Sequence, residues 1–201
     1  MNSEQRHAEG ESTKLAIVNR FHEMLENGIP VRKITVPALM DELPWSQATF
    51  YQYFNTISDV VMPLLLEMQV AAMERSRAWY EDDGRPLLVR LDESIVGGVD
   101  VFHAYGRVMK AIIDCAGQDE TIYEMWTKLA RYYEADIRNN IESQQAAGHI
   151  RQELDAGTAA NFLVYGSMWQ YILHFGGPTK SPKKPVAEAL IQAWRSILYL
   201  E

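Results

Sequence analysis

A chain of 201 residues, 47% hydrophobic and 23% charged, has the composition of an ordinary globular protein with room for one large domain or two small ones. Nothing is apolar for the roughly 18 residues that a membrane-spanning helix needs, and a single cysteine, Cys115, excludes an internal disulfide or a Cys-rich metal site. The net charge of −8 counts against any broad nucleic-acid surface, so contact with a polyanion has to be local.

The N-terminal run MNSEQRHAEGEST is polar and acidic, unlike a signal peptide or a basic transit peptide, which leads to a cytoplasmic expectation. Residues 1–11 carry too little apolar material to bury and are expected as a disordered tail. Ser12 can cap a helix to about Asn27, with Leu15, Val18, Phe21, His22 and Leu25 on one face and Asn27-Gly28 as its end. Two short helices follow in TVPALMDELPWSQATFYQYF, from Thr35 to Phe54. Val36, Leu39, Met40 and Leu43 fall at i, i+3, i+4 and i+7, one helical face. Pro44 stops that helix, because the residue before a proline is driven from the α region. Ser46 then caps a second helix, Gln47 to about Tyr53. Two short helices across so tight a turn have the spacing of a helix-turn-helix.

Thr35, Val36, Ser46, Thr49, Phe50, Tyr51 and Phe54, with the aromatic run FYQYF, resemble the DNA-binding end of TetR-family transcriptional regulators. The resemblance implies a recognition helix in the major groove. Gln47, Ala48, Thr49, Tyr51, Gln52 and Tyr53 are its candidate groove-facing residues. Gln pairs with adenine, and the Thr and Ala methyls meet thymine. Lys33, Thr35 and Tyr53 are candidate phosphate contacts, and Ser46 completes the DNA-binding set. Three positions depart from the family pattern: Pro44 replaces a turn glycine, Gln47 a frequent basic residue, and Ile57 a phosphate-binding lysine. Residues 1–54 hold five basic against seven acidic side chains, a charge of −2, so Arg32 and Lys33 predict modest DNA affinity.

Asn55 or Thr56 caps a predicted long helix to about Asp82, with Pro63 near its start and a turn at Asp82-Asp83-Gly84-Arg85-Pro86. Residues 87–116 make one or two helices, in which Gly97, Gly98 and Gly106 allow close packing or a break. Residues 118–147 make another, ended by Gly148. Asp155 caps a helix through Phe175, which Gly176-Gly177-Pro178 breaks. Lys180, Lys183 and Lys184 read as a solvated loop, and a last helix runs from Val186 to Leu200. The sum is an all-α chain of roughly nine helices: a tail (1–11), a helix-turn-helix DNA-binding domain (12–56) and a ligand-binding and dimerisation domain (57–201). The spacing of the last three helices is similar to the branch that includes the ethionamide-resistance repressor.

No phosphate loop, HExxH or nucleophile elbow is present, and the five histidines are scattered, so no enzyme, metal or cofactor is expected. Aromatic and methionine side chains concentrate in the second part. They are read either as plain core or as an apolar pocket with polar handles. The pocket candidates are Phe102, Tyr105, Met109, Trp126, Tyr133, Tyr165 and Trp169. Phe162, Gly166 and Gln170 of one helix and Leu190 and Trp194 of the last are the candidate dimer interface, two helices per subunit forming a four-helix bundle. The combined expectation is a repressor that binds a palindromic double-stranded operator as a homodimer and is released by a small apolar ligand. The alternative is a similar dimer with weak or lost DNA binding that serves as a ligand- or partner-binding protein.

Overall fold

The computed structural model describes residues 3–199, with side chains from residue 8 onward. Among the described residues there are eight α-helices, three single-turn 3-10 segments and no strand. The helices are α1 (Ser3–Glu26), α2 (Val36–Met40), α3 (Gln47–Phe50), α4 (Val61–Arg75), α5 (Leu87–Ala116), α6 (Glu120–Ala146), α7 (Ala156–Phe175) and α8 (Lys183–Leu198). No described helix is long and apolar enough to cross a membrane.

Helix ends follow the local chemistry. Gly28 sits at φ 82°, and the amides of Gly28 and Ile29 reach back to the carbonyls of Leu25 (2.8 Å) and Met24 (3.0 Å) to close α1. That is the paired C-terminal bonding that a left-handed glycine makes possible. Gly148 (φ 77°) closes α6 the same way. Asp119 and Asp155 cap α6 and α7 through their carboxylates, Asp155 accepting from the Thr158 amide at 2.7 Å.

Two expectations about helix extent are corrected. Residues 3–11, expected as a disordered tail, form the opening turns of α1, so Ser12 lies inside the helix; residues 1–2 lie outside the described residues. Those turns pass close to Tyr53: a Cβ built on Gly10 would stand 3.4 Å from the Tyr53 hydroxyl. The long helix expected from Asn55 to Asp82 is segmented. Thr56 and Asp59 cap each other reciprocally, the Thr56 amide reaching the Asp59 carboxylate at 2.9 Å and the Asp59 amide reaching Thr56 Oγ1 at 3.3 Å. A 3-10 turn (Ser58–Val60) then precedes α4, where Pro63 has no N–H to give back to the first turn. At the far end the Ser76 hydroxyl donates to the Ala72 carbonyl (2.7 Å), a back-bond that bends helices, and Trp79 turns its amide to Ser94 Oγ (2.7 Å).

α5 is the central helix and packs on α4, α6, α7 and α8. It is unbroken, and its glycines serve close approach. A Cβ on Gly97 would meet the Arg75 carbonyl oxygen at 2.4 Å, and one on Gly106 would meet Phe175 at 2.5 Å. At the N-terminal end, Phe21, Leu39 and Phe50 are fully buried and join α1, α2 and α3.

Candidate functional site

Thr35 caps α2, its hydroxyl accepting from the Ala38 amide at 3.4 Å. Met40 ends α2 before Pro44, and the connection to α3 contains no residue with positive φ, so it closes without the glycine geometry that the resemblance implies. Ser46 stands at the cap position of α3, although its hydroxyl makes no capping bond. α3 is shorter than expected, ending at Phe50, and residues 51–53 continue as turns. Lys33, Thr35, Ser46, Gln47, Ala48, Tyr51 and Gln52 are all exposed, while Thr49 and Tyr53 are half-buried. Phe50 and Phe54 pack against each other in the core beneath, their rings tilted with centroids 5.5 Å apart, which leaves the opposite side of the turn-helix free. Of the basic residues here, Arg20 is bound to Glu42 (2.6 Å) and Glu23 (3.4 Å), whereas Arg32 and Lys33 are exposed.

A cavity of about 110 Å³ lies between α4, α5, α6 and α7, with Trp194 of α8 reaching into its wall. Phe102, Trp126 and Tyr133 line it as expected; Met68, Ala72, Ile95, Leu129, Val164 and Met168 supply much of the apolar wall. The polar groups are few. Ser94 Oγ donates to the Ser76 carbonyl (2.8 Å), and Ser167 Oγ accepts from the Trp194 indole N–H (3.0 Å). The Tyr133 hydroxyl donates to the Gln69 carbonyl (3.4 Å). Burial pushes the Tyr80, Tyr133 and Tyr171 hydroxyls well above the usual phenol range, and the Asp136 carboxylate adds to this at Tyr80. All three are neutral donors at any physiological pH.

The other four pocket candidates lie outside this cavity. Tyr105 donates to Glu67 Oε1 (2.6 Å) and stacks on His22 of α1 (5.4 Å). Its phenol is pushed up to about 12, by burial first and then by the Glu67 carboxylate. Met109 is fully buried in the core away from the cavity. Tyr165 and Trp169 face outward, Trp169 with 57% of its surface exposed. The helical period explains the swap. Val164, Ser167, Met168 and Tyr171 share the inward face of α7, so Tyr165 and Trp169 take the other. Trp79, Tyr80 and Trp194 were missed as lining residues. The first two lie past the end of α4, and the third belongs to a face assigned to dimer contact.

That dimer face divides. Phe162 (64% exposed), Trp169, Gln170 and Leu173 form an outward stripe on α7, and a Cβ on Gly166 would meet nothing within 4 Å. Trp194 instead packs inside the subunit, edge-on to Trp79 at 5.6 Å. Leu190 is buried against its own subunit while forming part of a surface groove of about 380 Å³ with Gln170, Val186, Ala189 and Ala193.

Lys180, expected in a solvated loop, sits at the junction of the N-terminal helices and the larger body. Its ammonium donates to Glu26 Oε2 of α1 (2.6 Å) and to the His103 carbonyl (2.7 Å), and its side chain is 13% exposed. Arg107 beside it donates to the Gly177 (3.1 Å) and Pro178 (2.7 Å) carbonyls. Burial, and then the Lys180 charge, lowers the His103 imidazole below its usual range.

No protein-family model matches the chain, and no curated protein matches it by sequence. Solved structures match across nearly its whole length. A Saccharomonospora viridis protein in complex with choline shares 18% identity at a TM-score of 0.73, covering 94% of this chain and 98% of its own. The ketosteroid transcriptional regulator KstR2 of Mycobacterium tuberculosis shares 14% at 0.70, covering 94% and 96%. A transcriptional regulator of the TetR/AcrR family from Thermobifida fusca shares 17% at 0.68, covering 91% and 96%. This chain therefore has the fold of TetR-family transcriptional regulators: a helix-turn-helix end followed by a larger all-helical body.

Proposed function

We propose that this protein is a transcriptional repressor of the TetR type. It binds a palindromic operator as a homodimer in the cytoplasm and is released by a small ligand held in the cavity beneath α4. The observation that carries the reading is the division of labour along one chain. An exposed turn-helix presents Gln47, Ala48, Tyr51 and Gln52 at one end, and a mostly apolar cavity lies in the body. Proteins of similar fold include one in complex with choline and one whose name ties it to ketosteroids, which supports a small-molecule role for the cavity. The spacing of the last three helices supports the branch that includes the ethionamide-resistance repressor. The exposed stripe of α7, flanked by Ala189 and Ala193 of α8, supports pairing about a two-fold axis. No catalytic role is proposed.

A second reading has its own observation. The N-terminal 54 residues carry a net −2, and Arg20 is already engaged by two glutamates, so few cations remain for phosphate. On that reading the dimer binds ligand or a partner and has little hold on DNA. Fluorescence anisotropy on DNA flanking its own gene, at two salt concentrations, separates the two. The repressor reading expects affinity that falls with salt on a log–log line; absence of any salt-dependent binding favours the second.

A further inference from the structure

The junction between the N-terminal helices and the body holds a second cleft, of about 250 Å³, which shares no lining residue with the cavity described above. Its walls are the end of α1 with the segment that follows it, the C-terminal half of α5, and the turn after α7. Three cations line it, Arg32, Arg107 and Lys110, against one carboxylate, Asp114. That is a local excess of positive charge in a chain whose net charge is −8. The cations also keep unspent donors. The Arg107 side chain is only 13% exposed, and its Nε and Nη2 donate to the Gly177 (3.1 Å) and Pro178 (2.7 Å) carbonyls. Its Nη1 stands 3.8 Å from Glu26 Oε2, too far for a hydrogen bond, and has no other partner among the described residues. Glu26 is held more closely by Lys180, at 2.6 Å, and so leaves much of the Arg107 charge unanswered. Lys110 spends one of its three N–H donors on Asp114. Arg32 is exposed and makes no ion pair among the described residues. Cations gathered in this way repel one another, a cost that an anion between them offsets.

We infer that this cleft is a site for a small organic anion, its carboxylate or phosphate oxygens on Arg32, Arg107 and Lys110 and its apolar part beside Leu25, Val31 and Ala111. Guanidinium and ammonium donors make their strongest hydrogen bonds to such oxyanions. Leu25, Val31 and Ala111 are buried members of the wall, so the cleft has an apolar side as well as a charged one. The volume of about 250 Å³ exceeds the roughly 150 Å³ that takes benzene, which leaves room for one ring and its head group. It is too small for a length of DNA backbone, and no residue of α3 lines it. Arg32 comes from the N-terminal side of the junction, and Arg107 and Lys110 come from α5. An anion held by all three therefore joins the N-terminal helices to the body. The site goes beyond the ligand cavity proposed above and does not depend on it, since binding here needs neither operator nor an occupied cavity.

The test is calorimetry on the full chain without DNA, using benzoate, phenyl phosphate and the neutral benzamide. At least one of the two anions is expected to bind about tenfold or more tightly than benzamide, and the tighter of them identifies the head group. Arg32→Gln and Lys110→Gln are each expected to weaken that anion at least about fivefold. Arg107 is left intact, because it also ties down the turn after α7. Lys33→Gln is the control: Lys33 is equally exposed and next in the chain, but lies outside the cleft, so anion affinity should not change. Binding of none of the three compounds, or equal binding of anions and benzamide, overturns the inference. So does an anion affinity that neither Arg32→Gln nor Lys110→Gln lowers, or that Lys33→Gln lowers as much as they do. Because no operator is present, each of these outcomes is independent of whether the protein is a repressor.

Discussion

Gln47 and Gln52 are exposed on the surface turned away from Phe50 and Phe54, so replacing either by Ala should change which sequences bind, at a cost of about 1–3 kcal/mol at one base position. Lys33→Ala should act differently, weakening all sequences alike and reducing the salt slope by about 1; anisotropy over a panel of operators distinguishes these outcomes. A second residue-scale prediction concerns acid. The Asp155 carboxyl is held below the usual carboxylate range by its bond from the Thr158 amide, at the start of α7. A lowered folded value means the cap contributes fully above about pH 4 and is lost as pH falls through the folded value. Asp155→Asn keeps a capping side chain, so it should flatten the acid limb of the urea-midpoint profile; an unchanged limb would show that other carboxylates set it. Single caps were among the most legible features of the sequence. Asp155, Gly28 and Gly148 each act within a few residues of themselves. Ser46 was legible only as a position, because its hydroxyl makes no capping bond.

At the scale of elements, helix existence was readable from hydrophobic period, and helix facing was not. A period of 3.6 says that α7 has two faces without saying which one meets α5. Gly106 decides it, because the Phe175 backbone comes so near that no side chain fits between them. Gly106→Ala should therefore destabilise the fold by about 1–3 kcal/mol, the range for overpacking, read as a shift in the urea midpoint. Gly166→Ala, with nothing within 4 Å of its Cβ, should be neutral or slightly stabilising for the monomeric fold. The outward stripe of α7 makes a prediction of its own. Trp169→Glu should leave the helix content intact and shift sedimentation from about twice 23.0 kDa to 23.0 kDa. A wild type that is already monomeric at micromolar concentration would refute pairing through this face. The segmentation of α4 was hidden for another reason: Ser76 and Ser94, 18 residues apart, redirect the chain through a hydrogen bond that no local pattern contains.

For the whole molecule, the question is how a ligand in the body reaches a helix at the other end. α4 is one connection. Its 15 residues span about 22 Å, from the Thr56–Asp59 cap just after the recognition helix to Ser76, Trp79 and Tyr80 around the cavity. Lys180 is the second, tying Glu26 of α1 to the His103 carbonyl of α5 through the segment that follows α7. A ligand that moves α4 while Lys180 holds α1 in place must either break this tie or turn the N-terminal helices as a unit. Under the proposed function, the second case would take the α3 helices of a dimer out of register with major grooves about 34 Å apart. Coupling between ligand and operator is reciprocal, so the factor by which ligand weakens DNA binding must equal the factor by which DNA weakens ligand binding. Lys180→Gln removes the charge but keeps a long polar side chain with N–H donors. It should leave ligand affinity for DNA-free protein unchanged and reduce the coupling factor in both directions. Calorimetry of ligand into free and operator-bound protein, wild type and variant, gives all four constants. A variant that couples as strongly as the wild type would mean that α4 alone transmits the signal and that Lys180 only holds the two parts together.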